Sequence, residues 1–168
     1  MVGTEFFIFV GDDMERIENV GNARYHALDI AKNIVDRCAN AGSPISDLQL
    51  QKILYYVQLA FIKNLGYRAF GEDIEAWSYG PVVPEVYRYF NGFGANEINM
   101  FYYEQRHMFI NPQEDFVVDN IVKKCLTFSP WDLVELSHNP TGPWYKAFHE
   151  KGNHEVIPDR DIVLYALE

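Results

Sequence analysis

Two neighbouring blocks constrain this chain more than any other feature. The first, Leu48 to Tyr56, reads Leu-Gln-Leu-Gln-Lys-Ile-Leu-Tyr-Tyr. The second, Asp73 to Tyr87, reads Asp-Ile-Glu-Ala-Trp-Ser-Tyr-Gly-Pro-Val-Val-Pro-Glu-Val-Tyr. Together they predict an amphipathic helix, a loop, a short strand, a turn locked by Gly80-Pro81 and a second helix opened by Pro84. The first helix places Gln51, Lys52, Tyr55 and Tyr56 among residues that should be core. Folding alone does not call for that mixture, so function is expected here.

A chain of 168 residues fits one domain, since domains commonly hold ~100 to 200 residues. With 48% hydrophobic and 15% aromatic residues it can bury a core without a disulfide or a metal. Cys38 and Cys125 are far apart, each at an apolar helical spacing. They are expected to be buried, reduced thiols, which suits the cytoplasm. Phe6-Phe7-Ile8-Phe9-Val10 is too short for a signal segment and runs directly into Asp12-Asp13. It reads as a short strand or an ordered arm within an amino-terminal extension, residues 1–23. No stretch approaches a membrane span. Fourteen basic residues are scattered among 24 acidic ones, for a net charge of −10. Direct nucleic-acid binding is therefore not expected, and the charge would steer the chain toward basic partners.

Apolar spacing predicts a helix over residues 24–41, ended by Gly42 and Pro44. The next helix starts with a capping box, Ser46 and Gln49, and a staple, Ile45 and Leu50. It runs to Gly66 and, apolar on nearly all sides, should be the central helix. Ile74–Tyr79 suits a strand. Residues 91–96 read as loop, and residues 98–110 as irregular, with a pair of short strands as the expectation. Asn111-Pro112-Gln113-Glu114 and Ser129-Pro130-Trp131-Asp132 share one helix-start grammar, Pro143 opens a short segment, and Pro158-Asp159 precedes a terminal helix. The fold class is mainly α (α+β): a single-domain helical bundle with a small antiparallel β element.

No catalytic constellation stands out. His149 and His154 are five apart across Gly152, which breaks the helix that a zinc-protease motif needs. Gly92-Phe93-Gly94 lacks the third glycine of a dinucleotide fingerprint. Asp73 and Glu75 would share a strand face, where a solvated charged edge that discourages strand pairing is the expectation rather than acid–base work. No cofactor or metal is expected. His138 should make one bond at a helix end, where its cation would favour the dipole. Trp144 should anchor the terminal segment, and Tyr55 and Trp77 should be core. Lys52 can snorkel to solvent, pair with Glu75 or Glu85, or meet a partner; pairing within the domain is the expectation.

Three blocks then carry a resemblance: Leu48–Gln58, Asp73–Tyr87, and Leu136-Ser137-His138 to Gly142-Pro143-Trp144. In this order the chain resembles the Panacea domain, the SocA-like antitoxin family common in bacteria and their prophages, over roughly residues 24–166. The matching positions are Gln51, Lys52, Tyr55, Tyr56, Glu75, Trp77, Tyr79, Gly80, Pro81, Val82, Pro84, Tyr87, His138, Pro143 and Trp144. Ser137 stands where family members usually carry threonine. The resemblance implies a cytoplasmic, non-enzymatic antitoxin, residues 24–168, that neutralises a cognate protein toxin by direct contact. Three rivals are a proteolytic adaptor delivering its partner to a protease, a phage-encoded inhibitor of a host defence protein, and a hydrolase or transferase. Tyr87, Tyr89, Tyr102 and Tyr103 are candidate partner-binding anchors; self-association is left open.

Overall fold

A computed structural model describes residues 11–168 of the chain. The Phe6–Val10 segment lies outside the described residues. Residues 11–18 form helix α1, and Arg16 donates to the Leu167 carbonyl at the other end of the chain (3.2 Å). Helices α2 (Ala27–Asn40) and α3 (Asp47–Leu65) follow, then strands β1 (Glu75–Trp77) and β2 (Gly80–Val82) and helix α4 (Pro84–Phe90). Three helices, α5 (Pro112–Cys125), α6 (Pro130–Ser137) and α7 (Pro143–Glu150), precede the two-residue strand β3 (Glu155–Val156) and α8 (Asp159–Leu167). The fold is mainly α, of the α+β kind, with a small antiparallel sheet ordered β2-β1-β3.

Helix α3 is the centre. Its start is the capping box read from sequence: Ser46 Oγ accepts the Gln49 N–H, and Gln49 Oε1 accepts the Ser46 N–H. Its end is Gly66 in the left-handed region, with φ +79°, where a Cβ would be strained. Between these points it packs against α2, α4, α5, α6, α8 and β2, burying Leu50, Ile53, Leu54, Val57, Phe61 and Ile62. A helix buried on most sides needs no narrow apolar stripe. Cys38 and Cys125 are free and buried, and burial pushes their thiols up to about 12 and about 11.

Four local expectations change. Helix α2 begins at Ala27, because Gly21 and Tyr25 instead make parallel bridges with Tyr67 and Phe70. The carboxylate of Glu72, distant in sequence, accepts the Ala27 N–H (3.0 Å) and serves as the cap. The hairpin turn falls at Ser78 and Tyr79, so Gly80-Pro81 belongs to β2. Proline is tolerated there because β2 is an edge of the sheet. Residues 98–110 form no strand; a 3-10 turn at Tyr103–Gln105 sits among irregular backbone. The buried side chains of α2 hold that segment: Asp36 accepts from the Tyr102 N–H and Arg106 Nε, and Asn33 donates to the Gln105 carbonyl. These bonds occupy backbone groups that a ladder would use. Strand β3 was not anticipated, two residues being too few to show a period.

A second buried polar group organises the far side of the molecule. Glu114 is fully buried and accepts from Tyr25 Oη (2.5 Å), Tyr67 Oη (2.6 Å) and the Asn111 N–H (3.4 Å), with Arg24 at 3.5 Å. It thus completes the α5 capping box while tying that helix to both bridging segments. Burial and the bond to Glu114 raise both phenols, Tyr67 to about 12, so each stays a donor at neutral pH. Glu114→Ala would strand several donors in the interior. A loss of about 3 to 5 kcal/mol is expected in urea denaturation, against about 1 kcal/mol for Tyr67→Phe.

Candidate functional site: an aromatic groove over a buried lysine

The first two turns of α3, the β1–β2 hairpin, α4 and α6 enclose a groove of about 470 Å³. Its floor is set by two polar side chains of α3. Gln51 Oε1 accepts the Val83 N–H (2.8 Å), and Gln51 Nε2 donates to Asp47 Oδ1 (3.1 Å). Lys52, fully buried, donates from Nζ to the Pro81 carbonyl (2.9 Å). The two residues therefore satisfy β2 and its exit where no further strand pairs with it.

The expected ion pair of Lys52 with Glu75 or Glu85 is not made. No carboxylate lies within 4.0 Å of Nζ among the described residues. Burial pushes the amine down to about 7, against an opposing pull from Asp47. Burial likewise pushes the Asp47 carboxyl up to about 6, partly offset by Gln51 and Lys52. Glu75 instead accepts from Trp77 Nε1 (2.8 Å), and Asp73 precedes β1, so these two acids do not form a strand-face pair.

Gly80 is dictated by the lysine. Its φ is +106°, and a Cβ there would stand 2.5 Å from Ser137 Oγ and 2.7 Å from Lys52 Cε. Ser137 spends its hydroxyl on the Val134 carbonyl (2.7 Å). Beneath the hairpin, Trp144 Nε1 donates to the Trp77 carbonyl (2.9 Å), and the His138 ring stacks on Trp144 at 3.7 Å and 4°. Trp144 anchors its segment as expected. His138 does not act as a cation: burial first, then the neighbouring Lys52, lower its pKa, and its buried Nε2 has no hydrogen-bond partner among the described residues.

The walls are aromatic. Trp77 is half-buried rather than core; it stacks on His154 (4.2 Å, 14°) and meets the edge of Tyr87 (4.8 Å). At the mouth Tyr79 and Trp131 make an edge-to-face pair at 5.4 Å, 59% and 58% exposed. Gln51, Lys52, Trp77, Tyr79, Val82 and Tyr87 thus converge on one groove, with Gly80, Pro81, His138 and Trp144 packed beneath. Pro84 and Pro143 open α4 and α7. Tyr55 is core, and Tyr56 lines a separate apolar hollow with Cys125 and Leu133. Of the proposed anchors, Tyr87 lines the groove. Tyr89 and Tyr102 flank Lys32, and Tyr103 stacks on Phe101, away from it. Sequence reasoning missed five lining residues: Asp47, Gly94, Ala95, Trp131 and His154. A bulky ring at the exposed start of short α6 was the one readable signal.

The family comparison spans most of the groove's lining residues. A family model described as "Antitoxin SocA-like, Panacea domain" matches residues 50–145. The chain belongs to this family. It is also 32% identical over 124 residues to a protein named Antitoxin SocA from Caulobacter vibrioides (strain NA1000 / CB15N), covering 68% of this chain and 66% of that protein. No solved structure matches. No helix among the described residues is long and apolar enough to cross a membrane.

Two tests probe the floor of the groove. Gly80→Ala combines a left-handed backbone with a sub-van-der-Waals contact, and a loss of about 3 kcal/mol is expected in chemical denaturation. The lysine should be visible in the pH dependence of stability. Its amine titrates near 7 when folded and near its ordinary 10.5 when unfolded. Between those values the unfolded chain holds more protons, so stability rises from pH 7 toward 10.5. Asp47 acts oppositely between its ordinary 3.8 and about 6, where the folded chain holds the proton and stability falls as pH rises. Lys52→Met should flatten the rise above pH 7 relative to the parent, as measured by urea midpoints across that range.

Proposed function

We propose that this protein is an antitoxin that neutralises a cognate protein toxin by direct contact, and that the aromatic groove beside the hairpin is the contact surface. The observation that carries this reading is the coincidence of the matched family segment with the groove: of its lining residues, Asp47, Leu48 and His154 alone fall outside residues 50–145. Tyr79 and Trp131 stand at the mouth as large, rigid rings that lose little freedom on binding. Neither is needed for the core, which supports a role in recognition rather than folding. The chain's charge of −10 favours encounter with a basic partner. Action by binding alone fits a groove in which Lys52, Gln51 and Ser137 already spend hydrogen bonds on backbone or neighbouring side chains.

The test is co-expression with the product of the adjacent gene, the candidate toxin. The parent protein should restore growth and co-purify with the toxin, while the toxin's cellular level stays unchanged. Tyr79→Ala combined with Trp131→Ala should reduce recovered complex at least tenfold while leaving the melting temperature within a few degrees. Tyr103→Ala, on the separate Phe101 surface, should neutralise as well as the parent. Failure of the parent to rescue growth or to bind would reject the antitoxin reading for that pair.

A further inference from the structure

The groove offers an anion and aromatic faces. Asp47 is 5% exposed and lines the cavity, and among the described residues one hydrogen bond, from Gln51 to Oδ1, reaches its carboxylate. Lys52, the nearest amine along α3, is spent on the Pro81 carbonyl and lies outside ion-pair distance of any carboxylate among the described residues. With its amine pushed down to about 7, it is a weak counter-ion at neutral pH. A carboxylate this sheltered gains most from a cation that arrives already shaped to pair with it.

The surrounding rings suit such a cation. Trp77 and Tyr87 wall the groove, and Tyr79 and Trp131 frame its mouth. Aromatic faces attract a desolvated cation, and a planar guanidinium can stack on a ring while its N–H groups fork onto a carboxylate. Recognition through backbone is closed off. Strand β2 is an edge, but Lys52 occupies the Pro81 carbonyl and Gln51 the Val83 N–H. A strand added at β2 would find those groups taken, which leaves the groove to be filled by side chains.

We propose that the groove receives an arginine side chain presented on an exposed loop of the partner protein, its guanidinium paired with Asp47 and lying against Trp77, Tyr79 and Trp131. This rests on the antitoxin reading, in which the partner is the toxin. The volume of about 470 Å³ leaves room for flanking loop atoms as well as the side chain.

The experiment follows the indole N–H signals of Trp77 and Trp131 by NMR in the intact protein. The probes are the pentapeptide acetyl-Gly-Gly-Arg-Gly-Gly-amide and its citrulline counterpart. The arginine peptide should shift both signals saturably, and citrulline, isosteric but uncharged, should not. Asp47→Asn and Trp131→Ala should each weaken the arginine response at least tenfold. Because Trp131 is exposed, its variant tests the idea even if Asp47→Asn folds poorly. Absence of any shift up to 20 mM peptide, or equal shifts from citrulline, would overturn the proposal. So would indole shifts that depend on protein concentration alone, the signature of a second copy in the groove. Should the parent rescue growth and Asp47→Asn with Trp131→Ala rescue it equally, the arginine site falls while the antitoxin reading stands. Loss of rescue by the parent instead strikes the antitoxin reading.

Discussion

The hydrogen bond from Lys52 to the Pro81 carbonyl fixes the geometry on which the groove depends. Burying an amine is costly unless it is bonded, and this one is placed where a carbonyl of an edge strand would otherwise go unpaired. Gln51, one position earlier on α3, completes the arrangement at the Val83 N–H. Two consecutive side chains of one helix thus replace the missing neighbour strand. The consequence reaches outward in both directions. Gly80 cannot carry a side chain against Ser137 and Lys52, and the hairpin is tied to α3 through the Pro81 carbonyl. Trp144 then clamps the turn from below through the Trp77 carbonyl. The aromatic walls stand where they do because this framework leaves the hairpin little freedom.

The molecule handles its two most buried charged side chains in opposite ways. Glu114 is surrounded by donors: two phenols, a backbone N–H and an arginine. Its oxygens are engaged on every side, and it joins elements that are distant in sequence. Lys52 has one carbonyl and no carboxylate partner among the described residues, so burial moves its amine toward the neutral form. The first arrangement gives a hydrogen-bonded knot, the second a staple made by a group only partly charged at neutral pH. Lys52 lines the groove. A groove floored by a full ammonium would repel cationic ligands more strongly than this one does.

Much of the fold was legible because helix starts are written locally. Ser46 with Gln49, Asn111 with Glu114 and Ser129 with Asp132 each placed a helix to within a residue. Gly66 marked the end of α3 equally well. What failed was set by distant partners. The start of α2 depends on Glu72, the path of residues 98–110 on Asp36 and Asn33, and β3 on pairing with β1. The site divides the same way. Gln51, Lys52, Trp77, Tyr79 and Tyr87 were conspicuous as polar or aromatic groups in apolar context. Asp47 looked like an ordinary acid in the first turn of a helix, and His154 lay in a turn with no pattern around it. Lys52 itself was recognised, but its partner was a main-chain oxygen, which no sequence pattern displays.

The two thiols have a use that their chemistry imposes. Cys38 lies on α2 and Cys125 at the end of α5, both enclosed and both held far from the thiolate form. Alkylating reagents react with the thiolate, so Cys38, with no exposed surface, is silent while the helices stay closed, and Cys125, which lines the hollow beside Tyr56, reacts slowly. Modification of Cys38 is confined to moments when α2 parts from the rest, and acceleration at Cys125 above its slow closed-state rate marks the opening of α5. The chain therefore carries two native reporters, on separate helices, of how often its interior is breached.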